Sequence, residues 1–192
     1  MIESLIRLDT QLFLLLNGLH NSFFDAVMWG LSSKTIWIPM YAYFFYLLVK
    51  QYKKQTIIIV LVVIISIALA DSLSVALFKN VVLRLRPSHN PALEGLVHIV
   101  NGYKGGTYGF VSSHASNTFA LAVVLAHFLK ARFRYFPLFI YSWAILVCYS
   151  RIYLGVHYPG DVICGGLFGS LIAFIILKGY NYWGRNVFIQ KV

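Results

Sequence analysis

The chain has 192 residues, 59% of them hydrophobic and 11% charged, and a mean hydropathy of +0.74. Charged residues fall far below the ~25% usual for a soluble domain, so a water-soluble fold is excluded and a polytopic membrane protein is expected, as a single domain over residues 1–192. A net charge of +10 would suggest nucleic acid on a soluble protein, but here the basic residues sit at the ends of apolar runs, where membrane topology and anionic lipid account for them and no nucleic-acid partner is expected.

Along residues 1–20, Leu5, Leu8, Leu12, Leu15 and Leu16 fall at helical spacing, with Glu3, Arg7 and Asp9 elsewhere. This reads as an amphipathic interfacial helix. It does not read as a signal peptide, since acids come early and no small-residue cleavage site follows. Residues 21–31 are a short apolar piece, a half-helix near the interface, interrupted by Ser32, Ser33 and Lys34.

Spanning helices are then expected over residues 35–49, 56–78, 112–129, 135–153 and 159–177. The aliphatic run Ile57–Ile67 would pass for a buried strand in water, but the length of its segment, about a bilayer, favours a helix. Asp71 within that segment is expected to make a polar contact between helices, with support of Lys79 two turns on as the alternative. In the last segment Gly165, Gly166 and Gly169 allow close helix contact. Cys148 and Cys164 both lie inside apolar runs and read as buried thiols. The expected fold is all-α, a polytopic membrane helix bundle of five spanning helices plus an N-terminal interfacial helix, with six spanning helices as the alternative.

Five spans put Lys50/Lys53/Lys54, Lys130/Arg132/Arg134 and Lys178/Arg185/Lys191 on one side, which the positive-inside rule makes cytoplasmic. The polar stretch 79–110, Arg151 and His157 then share the opposite side. That stretch is too long for an idle connector, and Gly102, Gly105, Gly106 and Gly109 suggest a mobile lip.

The six carboxylates, Glu3, Asp9, Asp25, Asp71, Glu94 and Asp161, are scattered without a close pair. A two-metal phosphatase or carboxylate-pair hydrolase needs clustered acids. Neither a phosphate-binding GxxxxGK[ST] loop nor an HExxH pair occurs. No metal and no cofactor are expected, and chemistry should run on His, Arg and Lys.

Residues 150–161, SRIYLGVHYPGD, carry ionisable groups between two apolar runs, which marks a candidate functional site. His157 and Asp161 are one helical turn apart and share a face if a helix has begun there. Pro159 suits a first helical turn. Asp161 can accept the ring Nδ1–H and leave Nε2 free, and Arg151 offers a permanent positive charge to an anion. The bland alternative is a chance loop. Two further clusters converge on the same side: Lys79 followed by Arg86-Pro87, and Val111-Ser112-Ser113-His114.

Together these three segments resemble the signature of the type 2 phosphatidic acid phosphatase family of membrane lipid phosphatases. The first and third match that pattern at every position. In the second, Val111 and Ser113 stand where the family usually has Pro and Gly. The resemblance covers about residues 71–166 and implies an integral membrane lipid phosphatase that forms a phosphohistidine and needs no metal. It implies His157 as nucleophile, Asp161 as its orienting partner and His114 as general acid. Lys79, Arg86 and Arg151, with Ser112 and Ser113 at a helix start, would hold the phosphoryl oxygens. Undecaprenyl diphosphate and lipid A phosphates are the favoured substrates, with phosphatidic acid, phosphatidylglycerol phosphate and transfer to another acceptor as alternatives. The expected setting is a bacterial cytoplasmic membrane, with the site facing outward and a phosphorylated lipid as partner. A non-catalytic lipid-phosphate binder or transporter is the competing class; it would need no His157–Asp161–His114 arrangement.

Arg84 matches no required position and reads as a solvated or interfacial arginine, with contact to a lipid headgroup as the alternative, and Lys104 as a weaker headgroup candidate. Tyr108, Tyr153 and Tyr158 read as belt aromatics. His20, His89, His98 and His127 read as interfacial or packing residues.

Overall fold

The computed structural model describes residues 2–188, with side chains for 2–182; the Arg185 side chain and Lys191 of the third basic cluster lie outside the described residues. Regular structure in this range is helical, apart from one isolated bridge between Leu85 and Tyr108. Two helices, α1 (Ile2–Gly18) and α2 (Ser22–Ser32), precede the bundle, and Asn21 caps α2 by accepting from Phe24 N–H at 2.9 Å. Next come α3 (Ile38–Tyr52) and α4 (Thr56–Ser74), separated by a tight turn in which Lys53 takes a positive φ of 51°. A π-helical turn, Val75–Lys79, and the short α5 (Asn80–Val82) extend α4 until Leu83 ends it in the left-handed region. The polar stretch follows, and then α6 (Ser113–Leu129), α7 (Phe136–Tyr153) and α8 (Pro159–Phe188).

The stretches Thr35–Val82, Phe136–Tyr153 and Pro159–Tyr182 are long and apolar enough to cross a bilayer, and the first, at 48 residues, contains both α3 and α4. Helix α6 is apolar but shorter. It forms the centre of the bundle, packed on α8, α4 and α7. The reason lies in side-chain size. A Cβ on Gly169 would sit 1.9 Å from the Ser116 carbonyl oxygen, and one on Gly165 2.5 Å from that of Ser112. The α6 and α8 backbones therefore meet through glycine, which is how membrane helices gain contact without a hydrophobic driving force. Outward faces carry large apolar side chains such as Ile57, Leu61, Leu167 and Leu171, as lipid contact requires.

Several assignments change. Helix α1 does turn Leu5, Leu8, Leu12 and Leu15 outward, but its buried face is Phe13 and Asn17, with Asp9 on the same side. Cys148 is buried as expected, whereas Cys164 faces outward, because its position in α8 lies away from α6. Tyr153 and Tyr158 are buried and hydrogen-bonded, to Asp25 at 2.7 Å and from Asn90 at 3.0 Å respectively. They are structural, not belt, residues. Asp71 accepts from Asn117 at 2.9 Å, the interhelical contact its position suggested.

The bundle has two chemically distinct ends. Tyr52 donates to the Phe128 carbonyl at 2.7 Å, and Phe128 stacks edge-on with Tyr180 at 5.3 Å. These contacts gather the ends of α3, α6 and α8, and so bring the basic residues Lys50, Lys130 and Lys178 to one end. The other end holds Lys79, the start of α6, the end of α7 and the start of α8.

Candidate active site

Helix ends place most of the candidate side chains, while His157 and Arg86 stand in the connections between helices. Lys79 closes the π-helical turn, a widened turn of the kind often found at functional sites. Its Nζ donates to Ser113 Oγ at 2.8 Å, and Ser113 Oγ lies 2.9 Å from Ser74 Oγ. Ser112 is the N-cap of α6: its hydroxyl accepts from Ala115 N–H at 3.4 Å, and its own N–H donates to the Asp161 carbonyl at 2.9 Å. The first turns of α6 and α8 are thereby tied together. Arg151 lies in the last turn of α7, and Asp161 in the first turn of α8.

A cavity of about 670 Å³ runs from this end into the bundle. Lys79, Arg86, Ser113, His114 and Arg151 line its polar mouth, while Phe44, Leu48 and Leu125 are among the residues lining its apolar depth. Its volume lies within the range for small-molecule sites. Arg151 is buried. It donates through Nη1 to Ser32 Oγ and through Nη2 to the Tyr103 hydroxyl at 3.4 Å, but its Nε has no hydrogen-bond partner among the described residues. A buried guanidinium with a free donor at a cavity wall suits an anion.

His157, Asp161 and Ser112 are not part of that lining; all three are buried, His157 only 1% exposed. His157 Nδ1 is 3.4 Å from Asp161 Oδ2, so the spacing of four residues does bring the two side chains together. Asp161 Oδ2 also accepts from Tyr158 N–H at 3.1 Å. Gly109 permits the approach, since a Cβ there would lie 3.0 Å from Asp161 Oδ2. Arg86 lies near the ring, since a Cβ on Gly109 would be 3.1 Å from its Cγ and 3.5 Å from His157 Nδ1, and it donates to the Tyr108 carbonyl at 3.2 Å and the Val156 carbonyl at 3.5 Å. His157 stands in the loop between α7 and α8. Burial, followed by the positive charges of Arg86, Arg151 and Lys79, holds its imidazole well below the usual histidine range. A neutral ring is the form with a free nitrogen lone pair, which a nucleophile requires.

Three residues escaped sequence reasoning. Lys34 lines the cavity mouth from the α2–α3 connection, outside every motif. Tyr103, in the glycine-rich stretch, partners Arg151. Arg84, expected in solvent or at the interface, instead bridges Asp9 and Asp161. Only Lys34, beside two serines in a break between apolar runs, left a sequence signal. Among the described residues, no three His, Cys, Asp or Glu side chains gather as metal ligands.

Residues 56–185 match the model of the PAP2 superfamily. The chain is 43% identical to a lipid A 4'-phosphatase of Bacteroides thetaiotaomicron over 88% of its own length and 76% of the relative's. It is 36% identical to a lipid A 4'-phosphatase of Porphyromonas gingivalis, over 94% and 76%, and 32% identical to an undecaprenyl-diphosphatase of Sulfolobus acidocaldarius, over 92% and 80%. Among solved structures, the crystal structure of Aquifex aeolicus LpxE superposes with a TM-score of 0.65 at 25% identity, covering 89% of this chain and 95% of the other.

Proposed function

The chain belongs to the PAP2 superfamily of phosphatases, and from that premise we propose that it is a protein of five spanning helices that hydrolyses a phosphomonoester of a lipid A-type saccharolipid, releasing inorganic phosphate, at the outer face of a bacterial cytoplasmic membrane. One observation carries the reading: Lys79, Arg86, Arg151 and His114 share the mouth of a cavity whose depth is apolar. A phosphorylated headgroup suits the mouth and acyl chains suit the depth. Among the relatives, those named for lipid A reach 43% and 36% identity, against 32% for the one named for undecaprenyl diphosphate.

In the proposed reaction the phosphate seats among Lys79, Arg86 and Arg151, and a local rearrangement gives the buried His157 access to phosphorus. His157 Nε2 attacks phosphorus as the P–O bond to the lipid breaks, and His114 gives the leaving oxygen its proton. Asp161 steadies the ring through Nδ1. Water then attacks the phosphohistidine, passing its proton to His114 and freeing inorganic phosphate. The cations stabilise charge on the equatorial oxygens, as phosphoryl transfer demands. Ser112 and Ser113 open α6, whose first N–H groups lack intrahelical partners and favour an anion.

The test is phosphate release by the purified protein in detergent, with chelator, from lipid A, undecaprenyl diphosphate, phosphatidic acid and phosphatidylglycerol phosphate. The highest kcat/KM is expected for lipid A, with loss of one phosphate by mass. A higher value for any of the others overturns the substrate assignment.

A further inference from the structure

We propose that Arg84 and Asp9 are positioning residues for the His157–Asp161 pair, so that α1, which lies outside the matched residues 56–185, takes part in the reaction. The inference rests on His157 being the nucleophile.

Asp161 is fully buried, and a carboxylate withdrawn from water needs compensation. Arg84 supplies it, with Nη1 on Asp161 Oδ1 at 2.8 Å. That contact occupies one oxygen and leaves Oδ2 for His157 Nδ1 and Tyr158 N–H. The second arm of the same guanidinium, Nη2, lies 2.7 Å from Asp9 Oδ2. The other Asp9 oxygen, Oδ1, accepts from Gly160 N–H at 2.7 Å. Gly160 makes the approach possible, because a Cβ there would sit 2.8 Å from Asp9 Oδ2. The guanidinium rests over the Tyr158 ring, its Cζ 3.9 Å from the centroid.

The order Asp9, Arg84, Asp161, His157 alternates acid and base. One guanidinium shared by two carboxylates leaves the set with one net negative charge, which the imidazolium formed during phosphoryl transfer can use. Without Asp9, Arg84 would neutralise Asp161 alone and weaken its hold on His157. Without Arg84, the two carboxylates would repel and Asp161 would lose the contact that fixes its plane. A planar fork is needed to reach both acids, which a lysine ammonium lacks.

Helix α1 is gripped for this task. Asp9, Phe13 and Asn17 recur every four residues on one face. Phe13 meets Tyr158 edge-on at 5.4 Å, and Asn17 donates to the Tyr153 carbonyl at 2.8 Å and accepts from His98 N–H at 2.8 Å. Three side chains on successive turns of α1 thus hold the loop that carries His157.

The experiment measures kcat, KM and thermal midpoint of the full-length protein in detergent with lipid A, for Arg84→Gln, Arg84→Lys, Asp9→Asn, Asp161→Asn and the Arg84→Gln/Asp161→Asn double variant. Arg84→Gln is expected to lower kcat by about ten- to a hundredfold with KM nearly unchanged, Arg84→Lys and Asp9→Asn by less, and the double variant no further than the worse single, since residues acting as a unit are non-additive. Unchanged kcat, a change in KM alone, or losses that multiply in the double variant overturn the proposal. If Arg84→Gln does not fold, Arg84→Lys carries the same kcat criterion. His157→Ala tests the underlying reading separately: its activity would remove the nucleophile, whereas an inactive His157→Ala beside an unaffected Arg84→Gln would remove only the positioning role.

Discussion

Ser113 occupies the place where the related motif has glycine, and its hydroxyl is used: it holds the Lys79 ammonium at 2.8 Å. Restoring the glycine removes one charge-assisted hydrogen bond, of roughly 1–2 kcal/mol. Ser113→Gly is therefore expected to raise KM about five- to thirtyfold while kcat changes less, measured by steady-state phosphate release. The pH profile follows from His157. Its pKa is lowered by burial and then by Arg86, Arg151 and Lys79, so the ring stays neutral as pH falls through ~6.5, where a free imidazole is half protonated. The acid limb of kcat/KM, corrected for the phosphate's own second ionisation near ~6, should lie below that value; a limb at or above it contradicts the buried geometry. The His157–Asp161 pair was legible because one helical turn separates the two residues in sequence. Arg84 was not, because its partners lie 75 and 77 residues away and an arginine among leucines looks the same at a membrane interface as in an ion pair.

Among the helices, the α6–α8 contact governs the site, since Ser113 and His114 ride the start of one and Asp161 the start of the other. Gly169→Ala must push these helices apart and is expected to cost about 1–3 kcal/mol, seen as a lower thermal midpoint and reduced activity. Gly179→Ala, where nothing lies within 4 Å, should leave both unchanged. Gly165, Gly166 and Gly169 announced this contact in the sequence, because small residues at helical spacing have few other uses in an apolar helix. The π-helical turn at Val75–Lys79 was hidden, since a widened turn carries no residue signature. The buried face of α1 left no signal for a related reason: periodicity marks leucines, and these face out while Asp9, Phe13 and Asn17 dock.

For the whole molecule, apolar length made the all-helical bundle readable, because burial in lipid acts on composition. The cavity was not readable, since its walls come from α3, α4, α6 and α7 together. Five spans with the basic end inside predict that, with Cys148 and Cys164 replaced by alanine, Lys104→Cys reacts with an impermeant maleimide from outside, and Lys54→Cys only after permeabilisation. The reverse pattern would invert the site. The most direct test of the central claim is acid-labile, base-stable ³²P labelling of the protein on rapid quench with ³²P-labelled lipid A in chelator. Residues 152–178, bounded by trypsin sites at Arg151 and Lys178, contain His157 as their sole histidine. Label in that peptide, absent from His157→Ala, is the predicted result; label in residues 105–130, which carry His114, or unimpaired turnover by His157→Ala, would contradict the account.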